Sequence, residues 1–92
     1  MDTNKLLTII EHFGKLHQII KLGEEVGELF KSVLNLENGY TRTNNEITGE
    51  LADCYILLKQ IELIYDIDKE EVNQIIEMKI DRVFDKYDVV YK

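Results

Sequence analysis

Across its 92 residues this chain contains no proline. Proline ends helices because it lacks an N–H donor and clashes with the preceding turn. Without it, long uninterrupted helices are the natural outcome and a loop-rich fold is not. The sparse punctuation falls where helix ends belong. Leu6-Leu7-Thr8-Ile9-Ile10 runs to Phe13 and stops at Gly14, and Asp2 or Thr3 can cap the start. A second helix is predicted from about Lys15 to Leu36. Its apolar face is Ile19, Leu22, Val26, Leu29, Phe30 and Val33, at three- and four-residue spacing. Gly23 and Gly27 each weaken it by roughly 1 kcal/mol relative to Ala, and read as room for another helix to approach closely. Asn38-Gly39 and the polar stretch 40–45 end it.

A third helix opens with the capping box Thr43-x-x-Glu46 and runs to about Tyr65. Its middle, Leu51-Ala52-Asp53-Cys54-Tyr55-Ile56-Leu57-Leu58, is apolar on nearly every side, as in a helix buried on more than one face. Asp68-x-x-Glu71 opens a fourth helix, with Ile67 and Val72 as a hydrophobic staple and Val72, Ile76, Ile80, Val83 and Tyr87 as its stripe. Val89-Val90-Tyr91 reads as a tail. The expected fold is all-α: one domain over 1–92, an antiparallel bundle of about four helices in which helices 2 to 4 pack as neighbours. Leu51, Cys54, Tyr55 and Leu58 can face helices 2 and 4, whereas Ala52, Ile56 and Leu63 point elsewhere. A chain this small cannot cover both sides, so the bundle is expected to be completed by homo-oligomerisation, as a dimer or tetramer.

Hydrophobic residues at 45% and charged ones at 32% fit a folded chain rather than a disordered one. Eleven basic against 18 acidic residues, a net charge of −7, argue against a nucleic-acid polymer or an anionic membrane surface as partner. A single Cys excludes a disulfide framework. Met1-Asp2-Thr3 lacks a basic leader, and no apolar run approaches the ~18 residues of a membrane span, so a cytoplasmic protein is expected.

Two carboxylate clusters stand out. Glu24-Glu25-Val26-Gly27-Glu28 places Glu25 and Glu28 one turn apart on helix 2, and Glu50-Leu51-Ala52-Asp53 repeats that spacing on helix 3. Most helical carboxylates simply form a solvated face. Lys21 and Lys31 can neutralise the first cluster, but no Lys or Arg lies within four residues of Glu50 or Asp53. Asp53 interrupts the most apolar stretch of the chain, where an unpaired charge is costly. Two such pairs on adjacent antiparallel helices converge into a set of oxygen donors, suited to Mg²⁺, with Mn²⁺ as substitute.

These residues carry a resemblance. EExxE, 21 intervening residues and ExxD are similar to the motifs of the all-α MazG-like nucleoside triphosphate pyrophosphohydrolases. Gly14-Lys15-Leu16-His17-Gln18, ahead of Lys21 to Leu29, resembles the entry into the first motif. Glu50-Leu51-Ala52-Asp53 resembles the second. Ile67 to Val72, leading to Lys79-Ile80-Asp81-Arg82, resembles the closing helix of short phage-type members, which often carry Asn at the position of Asp81. The resemblance implies Mg²⁺-dependent hydrolysis of a (d)NTP to (d)NMP and pyrophosphate by an oligomer.

On that reading Glu25, Glu28, Glu50 and Asp53 hold the metal, and Glu24 is an outlying partner. Lys79, Arg82 and Lys86 form a cationic stripe on helix 4. Lys79 and Arg82 are expected to stabilise the leaving pyrophosphate, with Lys86 alongside as a substrate contact. Gln18, on the edge that leads to the Glu cluster, is a candidate hydrogen-bond partner for a base. Cys54 reads as a small core residue, His12 and His17 as partly exposed helix residues, and Tyr40 and Arg42 as loop residues. The alternative is a non-catalytic acidic helical dimer serving as an interaction module.

Overall fold

The computed structural model describes residues 1–90. Four helices follow one another: α1 (Thr3–Phe13), α2 (Lys15–Glu37), α3 (Asn45–Ile64) and α4 (Lys69–Tyr87). No strand occurs among the described residues. Asp2 caps α1, its Oδ1 accepting from the backbone N–H of Asn4 at 3.0 Å and of Lys5 at 3.2 Å. Gly14 closes α1 and opens α2 in one residue. Its φ of +93° is closed to most side chains, and its N–H donates to the Ile10 carbonyl at 2.8 Å. Asp68 caps α4 through Glu70 N–H at 2.9 Å.

The third helix starts differently from expectation. Asn44 is the N-cap and makes no side-chain capping bond. Thr43 Oγ1 instead accepts from Asn45 N–H at 3.5 Å, so the predicted Thr43–Glu46 box does not form. Val89 and Val90 lie outside any helix, as a tail should, and Tyr91 lies outside the described residues.

Helices α2 and α3 form the central pair, and α1 packs on both. They run antiparallel: Gln18 meets Gln60, and one to two turns further along α2 Glu25 approaches Glu50 and Asp53. The core is thin. Leu6, Cys54 and Leu57 are its buried apolar members, joined by the polar Gln18, Ser32 and Gln60. Helix α4 contributes no buried residue, which corrects the expected packing of helices 2 to 4. Its stripe, apart from the half-buried Val72, faces solvent. The predicted α2 face is also only partly used: Ile19, Leu22 and Leu29 are half-buried, whereas Val26, Phe30 and Val33 are exposed. A Cβ at Gly23 or Gly27 meets nothing within 4 Å, so no helix of this chain makes the close approach expected at them.

Candidate metal centre

Each carboxylate is presented by a rigid helix, which costs little flexibility to hold. Glu25 on α2 and Glu50 and Asp53 on α3 bring one oxygen each within 4.8 Å of one another. Glu28 lies just beside them, lining with Glu50 and Asp53 a depression that also contains Lys31 and Glu46. Three of the four predicted ligands therefore converge, and the fourth borders the same groove. Glu24 does not join them. It points to solvent, 4.0 Å from Lys21, whose ammonium also sits 3.4 Å from Glu25.

Burial is distributed differently from the sequence expectation. Asp53 is exposed, because α3 is covered by α1 and α2 on the side of Cys54, Leu57 and Gln60 alone. The uncompensated group is Glu50, one turn earlier. Its Oε2 is fully buried and accepts no hydrogen bond. Burial pushes the Glu50 carboxyl above the ordinary value, and close approach of the Glu25 carboxyl, which favours a shared proton, adds to it. Repulsion from Glu25, Asp53 and Glu28 acts in the same direction.

Glu62 provides an internal comparison. Its Oε1 is also buried without a hydrogen bond, yet Lys59 stands 3.7 Å from it and Lys69 lies 3.8 Å from its other oxygen. Glu50 faces acids instead, and no ion pair reaches it among the described residues. A divalent cation fits this donor set: all oxygen, all anionic, with one buried atom unsatisfied. Cys54, adjacent to the cluster, is buried, and its thiol is pushed up first by burial and then by Glu25, Glu50 and Asp53. A thiol raised in this way is no nucleophile.

The cationic stripe is not brought to the carboxylates within one chain. Lys79 and Arg82 are exposed on α4 and form no ion pair among the described residues, and Lys86 lies 5.3 Å from the centre of the Tyr87 ring. Gln18 is placed on the site side of α2, buried, and bonded to Gln60. Gln60 was not singled out by periodicity. Its signal was a polar residue at core spacing, three beyond Leu57 and six beyond Cys54. No helix is long and apolar enough to cross a membrane among the described residues. Compared with models of known protein families, with curated proteins and with solved structures, the chain matches none.

Proposed function

We propose that this chain is a Mg²⁺-dependent pyrophosphohydrolase of the MazG-like type, cleaving a (d)NTP to (d)NMP and pyrophosphate. The observation that carries the reading is Glu50: a buried carboxylate oxygen with no partner, facing Glu25 and Asp53. Glu25, Glu50 and Asp53 would hold the metal, with Glu28 beside them. Mg²⁺, or Mn²⁺ in its place, supplies charge neutralisation of the triphosphate and a more acidic water. Lys21, tethered between Glu24 and Glu25, offers a cation beside the same carboxylates. Lys79, Arg82 and Lys86 reach a bound triphosphate only from the α4 of a second copy.

The oligomer in this reading rests on the outer face of α2. Leu16, Ile20, Gly23, Gly27, Phe30 and Leu34 alternate at four- and three-residue spacing, the seam of a helix that packs against another. Leu16 is 69% exposed and Phe30 65%, and both glycines open onto free space. A second copy laid along this seam covers those side chains, and the glycines allow the two backbones to approach closely. A non-catalytic acidic dimer would use the same seam but leaves the unsatisfied Glu50 without a purpose.

The direct test incubates the protein with Mg²⁺ and a panel of (d)NTPs and assays monophosphate and pyrophosphate. Asp53→Asn removes a ligand charge and almost no volume. It is expected to reduce hydrolysis to background while keeping the wild-type helical signal. Near-normal turnover by this variant at saturating Mg²⁺ refutes the ligand assignment.

A further inference from the structure

Helix α4 leaves α3 through a short, closed turn, residues 65–68. Tyr65 N–H donates to the Ile61 carbonyl at 3.1 Å and Ile67 N–H to the Glu62 carbonyl at 2.9 Å, around Asp66 at φ +51°. Closure around a left-handed residue is a common helix end, with glycine the usual occupant. The Glu62 side chain fastens the turn from outside. One carboxylate oxygen lies 3.7 Å from Lys59 on α3, and the other lies 3.8 Å from Lys69, the first residue of α4. Along the direction so fixed, α4 buries none of its residues. Its apolar seam is nonetheless regular. Ile76, Ile80, Val83 and Tyr87 alternate at four- and three-residue spacing, all exposed, with Lys79, Arg82 and Lys86 on one flank.

A groove of matching kind lies between α2 and α3. Val26 and Val33 stand one and eight residues beyond Glu25, and Leu51 and Leu58 stand one and eight residues beyond Glu50. At about 100° per residue, both offsets turn roughly 80–100° in the same sense from the carboxylates. On an antiparallel pair, equal turns bring both sets to one side, away from Glu25 and Glu50. Helix α1 occupies the other side, where its Ile9 and Phe13 line a cleft with Glu25 and Asp53. Val26, Val33, Leu58 and the neighbouring Tyr55 are exposed, and Leu51 is half-buried. The lengths agree: Ile19 to Val33 extends the α2 wall over about 21 Å, and the α4 seam from Val72 to Tyr87 covers about 22 Å.

We propose that α4 is an exchanged arm: in a two-fold dimer the α4 of each copy lies in the α2–α3 groove of the other. Exchange of an identical element is a low-cost route to a dimer, and a short hinge favours it. Area supports a second copy as the occupant. The accessible surface, 7581 Å², exceeds by about 2,000 Å² that of a folded monomer of this mass. Exchange makes the same contact twice, so each α4–groove contact needs only about 1,000–2,500 Å² to reach the range of permanent homodimers. Pairing of the α2 seams alone leaves α4 uncovered. The acids lie outside the groove, so the exchange needs no metal.

The experiment refolds an equimolar mixture of ¹³C-labelled and unlabelled full-length chain, without metal, and records isotope-filtered NOEs, which report contacts between copies. Intermolecular contacts are expected from the Ile76, Ile80 and Val83 methyls to Val26, Tyr55 and Leu58. Contacts with the groove of the same chain only, with the α4 of another copy only, or with neither, overturn the exchange. Sedimentation adds an affinity readout. Ile80→Asp is expected to raise the dimer Kd at least about tenfold, since one buried Ile is lost from each of two contacts. Ile80→Ala is the milder change should that variant fail to fold. Asp81→Asn, off the seam, should stay within about twofold of wild type. A Kd unmoved by either Ile80 change overturns the exchange. Intermolecular α4–groove contacts in a protein without Mg²⁺-dependent hydrolysis uphold it and remove the pyrophosphohydrolase reading alone.

Discussion

Glu50 carries a buried carboxylate oxygen that accepts no hydrogen bond. Its raised carboxyl makes a definite pH signature in the metal-free protein. A group whose folded pKa exceeds its unfolded value binds more protons in the folded state, so its contribution falls as pH rises. The stabilisation is complete below about 4.5, the ordinary value, and is lost as pH climbs through the raised folded value. Glu50→Gln removes that loss. Urea midpoints of the two proteins are therefore expected to coincide at low pH and to diverge towards pH 8, with the variant the more stable. Coincident midpoints across the whole range would show that the carboxyl is not perturbed. If Mg²⁺ binds the same group, as proposed, millimolar metal should raise the wild-type Tm by mass action and leave that of Glu50→Gln nearly unchanged. The acidic cluster was legible in the sequence as two pairs one turn apart. Which member is buried was not, because that depends on which side of α3 the other helices cover, and the apolar run around Asp53 is too uniform to show it.

At the scale of elements, the outer seam of α2 yields the sharpest discrimination. Gly27→Leu introduces a good helix former where a Cβ meets nothing within the chain. Propensity alone predicts a gain of about 1 kcal/mol in an isolated protomer. If a second copy lies against Gly23 and Gly27, the new side chain pushes it away. The expected result is a lower Tm and a shift to monomer in sedimentation. A higher Tm with unchanged mass would remove α2 from the interface. The helix boundaries themselves were readable from Asp2, Gly14, Asn38-Gly39 and Asp68, since caps and turns are local chemistry. The α3 start differs from the sequence expectation because a Thr-x-x-Glu pattern offers a box without compelling it. The α2 face differs from the sequence expectation because its apolar residues belong to two stripes, which three- and four-residue spacing alone merges. The inner stripe includes Gln18 and Ser32, which share its three- and four-residue spacing but, being polar, read as surface residues.

For the whole molecule, shape and area point the same way. The radius of gyration is 16.5 Å, against roughly 12 Å for a compact chain of this length. The accessible surface is 7581 Å², against roughly 5,500 Å² for a folded monomer of this mass. About 2,000 Å² of surface per chain is thus in excess. Much of it is apolar: Leu16, Ile20 and Phe30 on α2, Tyr55 and Leu58 on α3, and Ile76, Ile80 and Val83 on α4. Stable homodimers bury 2,000–5,000 Å² over both partners, so two such chains carry enough spare surface for an obligate interface. The internal core holds three buried apolar residues among those described, a small basis for the stability of a domain. Each aliphatic side chain covered by a second copy adds roughly 1.5–3 kcal/mol before association costs. Folding and association are therefore expected to be one transition. Sedimentation at low micromolar concentration should give a dimer or larger species, and the Tm should climb as protein concentration is raised. A stable, folded 10.8 kDa monomer with a concentration-independent Tm would contradict this. It would require another element, such as α4 folding back onto α2 and α3, to cover those faces.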